Sequence, residues 1–536
     1  MKPFESVSIV AARRTRLKRP AFRFRQLFVL VIACSWSLAG AVEARNLCGT
    51  DKAGEDLRRE LKRHAILVGS AGDLRDPCTF EPVDDPEQYM QEIRAGIEAY
   101  LDTTSDAKIL LFAHGGLNRK ISSSRRVITS LQQIRQAGTY PIFVNWSSGP
   151  VSNLWGAFVR DRGGERAKLA TGLVTGPYRV TRSLVEGVAH LPTSWWRSWA
   201  SDWNALDNEP FGCLTDVSGL DPSVTVEGRG QGAGRFPLIN TLTYPVGMVT
   251  TPLIDGLGDP AYQSMIRRVN HQFYGVSRSG SGAQGPEIGA WHRGATSRLL
   301  IMLSEMQAER GETIELTAIG HSMGAMVVAH MVRLFGDELY FKNIVLMGAA
   351  LSLAELESAI FPYLAKYDGT ERESELYHLM LHRRRERREV NGFGLAPRGS
   401  LLVWIDNFFD IDHGTMHRTS GRTENFFRYL CSLNDDRSTE VGQMFEKALK
   451  HVHPRRFEVV NWKEYKRCRK SILAYQKKAR QEFLKGKAYD AEPPCCWQTF
   501  QPQKHGDFDL ARFWLSASWT TEELPAADNL LLQVPN

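Results

Sequence analysis

The chain has 536 residues, 43% hydrophobic and 24% charged, with a formal net charge of +7. That composition is ordinary for a globular protein, too long for one small domain and compatible with one large α/β unit carrying insertions. Residues 1–44 hold eight Lys/Arg against Glu5 and Glu43, so the rest of the chain is close to neutral; the charge gives no support for a nucleic-acid partner.

Within residues 1–44 a basic segment precedes an apolar run at 27–42 and the small residues Ala39-Gly40-Ala41 and Ala44. This is the pattern of an export signal, cleaved or retained as an anchor. Val31-Ile32-Ala33-Cys34 also resembles a bacterial lipobox, with Cys34 as the lipidated residue. Export, whether periplasmic or secreted, places the other seven cysteines in an oxidising compartment. Cys48 and Cys78 suit a local bridge, and the remaining pairings stay open.

The next segment predicts a helix over 54–63, a strand over 65–68 and a helix over 86–101. Lys108-Ile109-Leu110-Leu111-Phe112-Ala113 reads as a strand buried on both faces, because it is a short apolar run bounded by turn residues. It ends in His114-Gly115-Gly116-Leu117-Asn118. A helix over 123–137 and a second buried strand over 140–146 follow. Strands alternating with helices imply crossover units and a parallel sheet. Asn145-Trp146-Ser147 has the form of a glycosylation sequon.

The alternation stops over 147–290, which is rich in Gly, Pro, Trp and Ser. An insertion between core strands reads as a cap or lid. Its Trp195, Trp196, Trp199 and Trp203 fit either packing within the cap or contact with an acyl chain or a membrane surface. Glycine-rich stretches at 228–234 and 277–285 read as loops.

Regularity returns with a helix over 295–310 and a β-rich run over 313–319. That run enters Gly320-His321-Ser322-Met323-Gly324, and a helical pattern continues over 325–335. Strand, Gly-x-Ser-x-Gly turn and helix lift a serine hydroxyl out of a sharp bend with a helix N-terminus behind it. The glycines stand where a Cβ would strike the neighbouring strand or helix. A strand over 343–348 comes next, then a charged helical excursion over 352–389, whose Arg383-Arg384-Arg385-Glu386-Arg387-Arg388 reads as a solvated helix face. Strands over 400–406 and 455–460 complete the pattern.

A serine that accepts acyl groups needs a base, an acid to orient the base, and donors for the oxyanion. His505, in a polar loop beyond the last strand, is the candidate base, with His413, His417 and His451 as competitors. Asp410, just past the strand over 400–406, is the first candidate acid. Asp406 at the strand tip is the second and Asp412 the third. The oxyanion donors are the backbone N–H groups of Met323 and of the Gly115-Gly116-Leu117 loop, which His114 can brace. The closeness of Asp410, Asp412, His413 and His417 reads as loop polarity, so no metal is expected.

These pieces together (Phe112-Ala113-His114-Gly115-Gly116, Gly320 to Gly324, the Asp406/Asp410 region and His505) resemble the α/β-hydrolase superfamily, within its lipase/esterase-like members. The resemblance spans roughly 105–146 and 290–515. It implies an α/β fold with a mostly parallel sheet flanked by helices, Ser-His-Asp catalysis and no cofactor. The expectation is therefore a leader at 1–44, a core at 45–146 and 291–536, and a cap at 147–290. The expected function is that of an exported serine hydrolase cleaving carboxylic esters, lipid esters included. A thioesterase or acyltransferase is the enzymatic alternative. A non-catalytic lipid- or protein-binding envelope component on the same scaffold is the other.

Overall fold

Apolar runs bounded by turn residues form the strands β1 (Ala65–Val68), β2 (Leu74–Arg75), β3 (Ala107–Ala113) and β4 (Thr139–Trp146). Two short pieces, β5 (Asp161–Arg162) and β6 (Glu165–Arg166), pair separately. β7 (Ile314–His321), β8 (Asn343–Met347), β9 (Glu375–Met380) and β10 (Val452–Arg456) follow. In the computed structural model, eight strands join in one sheet ordered β10-β9-β8-β7-β3-β4-β1-β2. Every neighbouring pair is parallel except β2, which runs antiparallel to β1 at the edge. The protein is thus α/β, with a mostly parallel sheet.

The structure describes residues 47–49, 51–104, 107–162, 165–166, 169–190, 192, 238–275, 294–310, 314–389, 399–409, 414–433, 440–457, 459–485, 489 and 491–520. The leader falls in a separate unit, Met1–Asn46, and the sheet in Leu47–Asn536. The leader, the tryptophan cluster, both glycine-rich stretches, Asp410, Asp412 and His413 lie outside the described residues. Among those described, no helix is long and apolar enough to cross a membrane.

A parallel sheet must be covered on both faces, and the period-two alternation of its strands sorts side chains accordingly. Ile109, Leu111 and Ala113 share one core with helices α2 (Pro86–Leu101), α6 (Ala295–Arg310) and α7 (Gly324–Phe335). Leu110 and Phe112 share the other with α1 (Lys52–His64), α3 (Lys120–Gln136), α8 (Trp462–Phe483) and the 505–519 turns. Two cap helices, α4 (Leu169–Ala189) and α5 (Leu238–Tyr274), cross at Gly256, where a Cβ would lie 2.4 Å from the Ser183 carbonyl oxygen. The lower part of α5 is core, with Met265, Val269 and Phe273 buried in the α2 side.

Three expectations are corrected. Residues 400–406 are not a strand but a helical turn, Leu401–Trp404, continuing into a π turn, Ile405–Phe409. Ser400 caps it, accepting the Val403 N–H at 3.4 Å, and a short apolar run alone does not separate strand from buried helix. The missing strand is β9, inside the supposed helical excursion, and the last strand is Val452–Arg456 rather than 455–460. The arginine run is a short helix, Arg383–Arg388, with Glu386 only 1% exposed, and Arg387 bonds Glu424 at 2.7 Å, so it is partly an interior ion network. The bridge Cys48–Cys78 is present, Cys468–Cys496 is a second, and Cys495 is exposed and free.

Candidate active site

The turn after β7 holds Ser322 at φ 54°, a left-handed conformation that costs a non-glycine residue about 1–3 kcal/mol. Surrounding contacts impose it. The Ser322 N–H donates to the Met347 carbonyl at 2.9 Å, and its own carbonyl accepts the Ala325 and Ala350 N–H groups at 3.1 and 3.0 Å. The flanking glycines are sterically required: a Cβ on Gly320 would lie 2.6 Å from Ala325 Cα, and one on Gly324 would lie 2.0 Å from the Ala113 carbonyl oxygen. Ser322 Oγ is buried and has no hydrogen-bond partner.

The loop after β3 lies directly on this serine, since a Cβ on Gly115 would come 2.8 Å from Ser322 Cβ. His114 braces it. The Trp146 N–H donates to His114 Nε2 at 3.1 Å, so Nδ1 carries the proton and donates to the Gly115 carbonyl at 2.7 Å. Burial, then the charge of Arg126, pulls this ring down to about 3 and keeps it neutral. Of the expected oxyanion donors, Leu117 is corrected: its N–H is spent on the Ser148 carbonyl at 2.9 Å. The N–H groups of Gly115, Gly116 and Met323 meet no acceptor among the described residues.

His505 opens a 3-10 turn, His505–Asp509. Asp507 locks that turn by accepting the N–H groups of Gln503 and Lys504, both at 3.1 Å, and the Tyr465 hydroxyl at 2.8 Å. The ring reaches the same sheet edge as Ser322. A Cβ on Gly348 would lie 3.0 Å from its Cε1 and Nδ1, and the preceding Met347 is the residue that bonds the Ser322 N–H. Both ring nitrogens are buried without a partner, so no hydrogen bond joins them to Ser322 Oγ. Burial, then the neighbouring His321, pulls His505 down to about 3. Each unmet buried polar group costs about 1–3 kcal/mol, and three of them at one strand edge call for an explanation.

Asp410, the first candidate acid, lies outside the described residues, and Asp406, the second, is spent elsewhere. Asp406 accepts from Thr419 N–H at 2.9 Å, Arg422 Nη1 at 2.6 Å and Asn425 Nδ2 at 2.7 Å. It is a saturated structural carboxylate with no bond to His505. Among the described residues, Glu389 in the segment after β9 accepts the backbone N–H of His505 on Oε2 at 3.0 Å and does not reach the ring. Burial raises the Glu389 carboxyl despite that bond.

The competing histidines lie elsewhere. His417 is exposed. His451 precedes β10, at the opposite end of the parallel strands, with its ring nitrogens 3.2 Å from Glu375 and from Asp368. Glu373, Glu375 and His451 hold ligand atoms within 4.8 Å of one another and could take a metal ion there, far along the strands from Ser322. Four residues near Ser322 escaped the sequence reading: Asn118, Arg126, Asp509 and His321. Only His321 lies inside a motif. Comparison of the chain with protein-family models, curated proteins and solved structures returns no match.

Proposed function

We propose that this chain is a serine hydrolase of α/β-hydrolase type that cleaves carboxylic esters. The observation that carries the reading is the strained Ser322, its Oγ buried and unpartnered beneath a glycine loop with free N–H groups. In this reading Ser322 Oγ attacks the ester carbonyl carbon while His505 takes its proton. The Met323, Gly115 and Gly116 N–H groups meet the oxyanion. His505 then protonates the departing alkoxide, and water, deprotonated by the same ring, releases the acid and restores Ser322. Glu389 holds the backbone N–H of His505 and so positions its turn, while the acid that would orient the imidazole is Asp410, outside the described residues. The chemistry requires the His505 ring to close on Ser322, a contact that commonly tightens only with substrate bound.

Apolar groups around the loop favour an acyl substituent of aliphatic character. A Cβ on Gly116 would come 3.0 Å from Met323 Sδ and 3.2 Å from Met265 Sδ, and the Tyr262 and Phe409 rings lie tilted with centroids 5.8 Å apart. Two disulfide bridges support the exported location that the leader suggests. The open Ser322–His505 contact favours a second reading, a lipid-binding scaffold without turnover. One experiment separates them. A fluorophosphonate probe is expected to label the wild type and not Ser322→Ala, with melting temperatures alike; an unlabelled wild type leaves the binding scaffold.

A further inference from the structure

A chain of hydrogen bonds runs behind Ser322 and His505 through residues that no reaction step uses. Asn118 Nδ2 donates to the Gly115 carbonyl at 2.8 Å. Asn118 Oδ1 accepts from Arg126 Nη2 at 2.9 Å, and the same nitrogen reaches Asp509 Oδ2 at 3.0 Å. Asp509 Oδ1 lies 3.0 Å from His321 Nδ1, and His321 Nε2 lies 3.2 Å from the His505 carbonyl oxygen. The His321 ring thus lies between the Asp509 carboxylate and the His505 backbone carbonyl. The side chains of Arg126 and His321 are 12% and 4% exposed, so these charge-assisted bonds work with little competition from water.

We propose that the Arg126–Asp509 ion pair is a positioning tie. It holds the glycine loop over Ser322 and the turn of His505 in fixed relation, through Asn118 on one side and His321 on the other. The loop and the turn belong to segments 383 residues apart at the ion pair itself, and oxyanion donors and base act together only if their separation is held within a fraction of an ångström. One guanidinium nitrogen, Nη2, serves both acceptors, and the plane of the group fixes the directions of its N–H bonds, which a lysine ammonium on a flexible stem does not reproduce. The effect on turnover rests on the hydrolase reading; the mechanical coupling does not.

The test uses Asp509→Asn and Arg126→Lys in the full chain, followed by hydrogen exchange with mass spectrometry and by turnover of p-nitrophenyl butyrate. Peptides covering 114–118 and 503–508 are expected to exchange faster together, by about tenfold or more, while β8 keeps its wild-type protection. kcat is expected to fall about tenfold to a hundredfold with KM nearly unchanged. A folded variant that loosens only one of the two segments, or neither, overturns the tie. Should Asp509→Asn fail to fold, the milder Arg126→Lys decides alone. A wild type without turnover whose variants still show coupled exchange keeps the tie and removes the hydrolase reading; an active wild type whose variants show no coupling does the reverse.

Discussion

Asp406 is a buried carboxylate and Glu389 a half-buried one, and their partners differ. Asp406 neutralises Arg422, with side chains 1% and 5% exposed. Removing one partner of such a pair leaves an uncompensated buried charge, at a cost of about 3–5 kcal/mol. Asp406→Asn is therefore expected to lower the melting temperature sharply, and to reduce turnover only in proportion to the folded fraction. Glu389 has its carboxyl raised by burial, so the neutral isostere in Glu389→Gln is tolerated by the fold. It is expected to loosen the turn that carries His505 and to reduce kcat by about tenfold with melting little changed. Full turnover in Glu389→Gln would show that the turn holds without that bond.

The elements divide by how local their causes are. β1, β3, β4, β7 and β8 were legible because each is an apolar run between turn residues, as a strand covered on both faces requires. β9 was not, because Glu375-Leu376-Tyr377-His378-Leu379-Met380 mixes charge and ring nitrogens into a strand that pairing with β8 and β10 imposes. With β9 missed, a strand was placed at 400–406 instead, so Asp406 was read as a strand-tip residue when it lies in a π turn. The strained turn of Ser322 and its two glycines was legible from the strand–turn–helix motif, whereas His505 was singled out only by its place beyond the last strand. The Arg126–Asp509 contact was not, because a bond across 383 residues leaves no local signature. At the far ends of β9 and β10, His451 bonds Glu375 and Asp368, and His453 bonds Glu375 at 2.6 Å. The bond to Glu375 is the main cause raising His451 above its ordinary value. Burial opposes ionisation of Glu375, but the two imidazoles outweigh it and hold that carboxyl down to about 2. The histidine term is present below the unfolded value near 6.5 and fades as pH rises through the folded one. The glutamate term is present above about 4.5 and fades as pH falls toward 2. Glu375→Gln is thus expected to lower the melting temperature more at pH 6 than at pH 8.5, and an equal loss at both would exclude the imidazolium contribution.

Over the whole molecule, acid acts through neutral histidines. Burial is the leading cause that pulls His64, His114, His378, His382 and His505 down to about 3 each. A depressed histidine adds stability above its unfolded value near 6.5 and loses it as pH falls toward 3. The wild-type melting temperature is therefore expected to drop steadily from pH 6.5 to 4. His378 sits fully buried against Phe426, both ring nitrogens unpartnered, so His378→Leu is expected to flatten that slope. A slope unchanged by the substitution would mean that His378 takes up no proton on unfolding. The cap follows a different logic. A swinging flap needs a joint, yet the segment above Gly116 is one unbroken helix, α5, with Met265 at the roof and Val269 and Phe273 sunk in the foundation. A beam fixed at one end bends or stays put. On the hydrolase reading, an acyl chain bound for Ser322 would meet Met265 beside Gly116 as a wall anchored in the core through Val269 and Phe273.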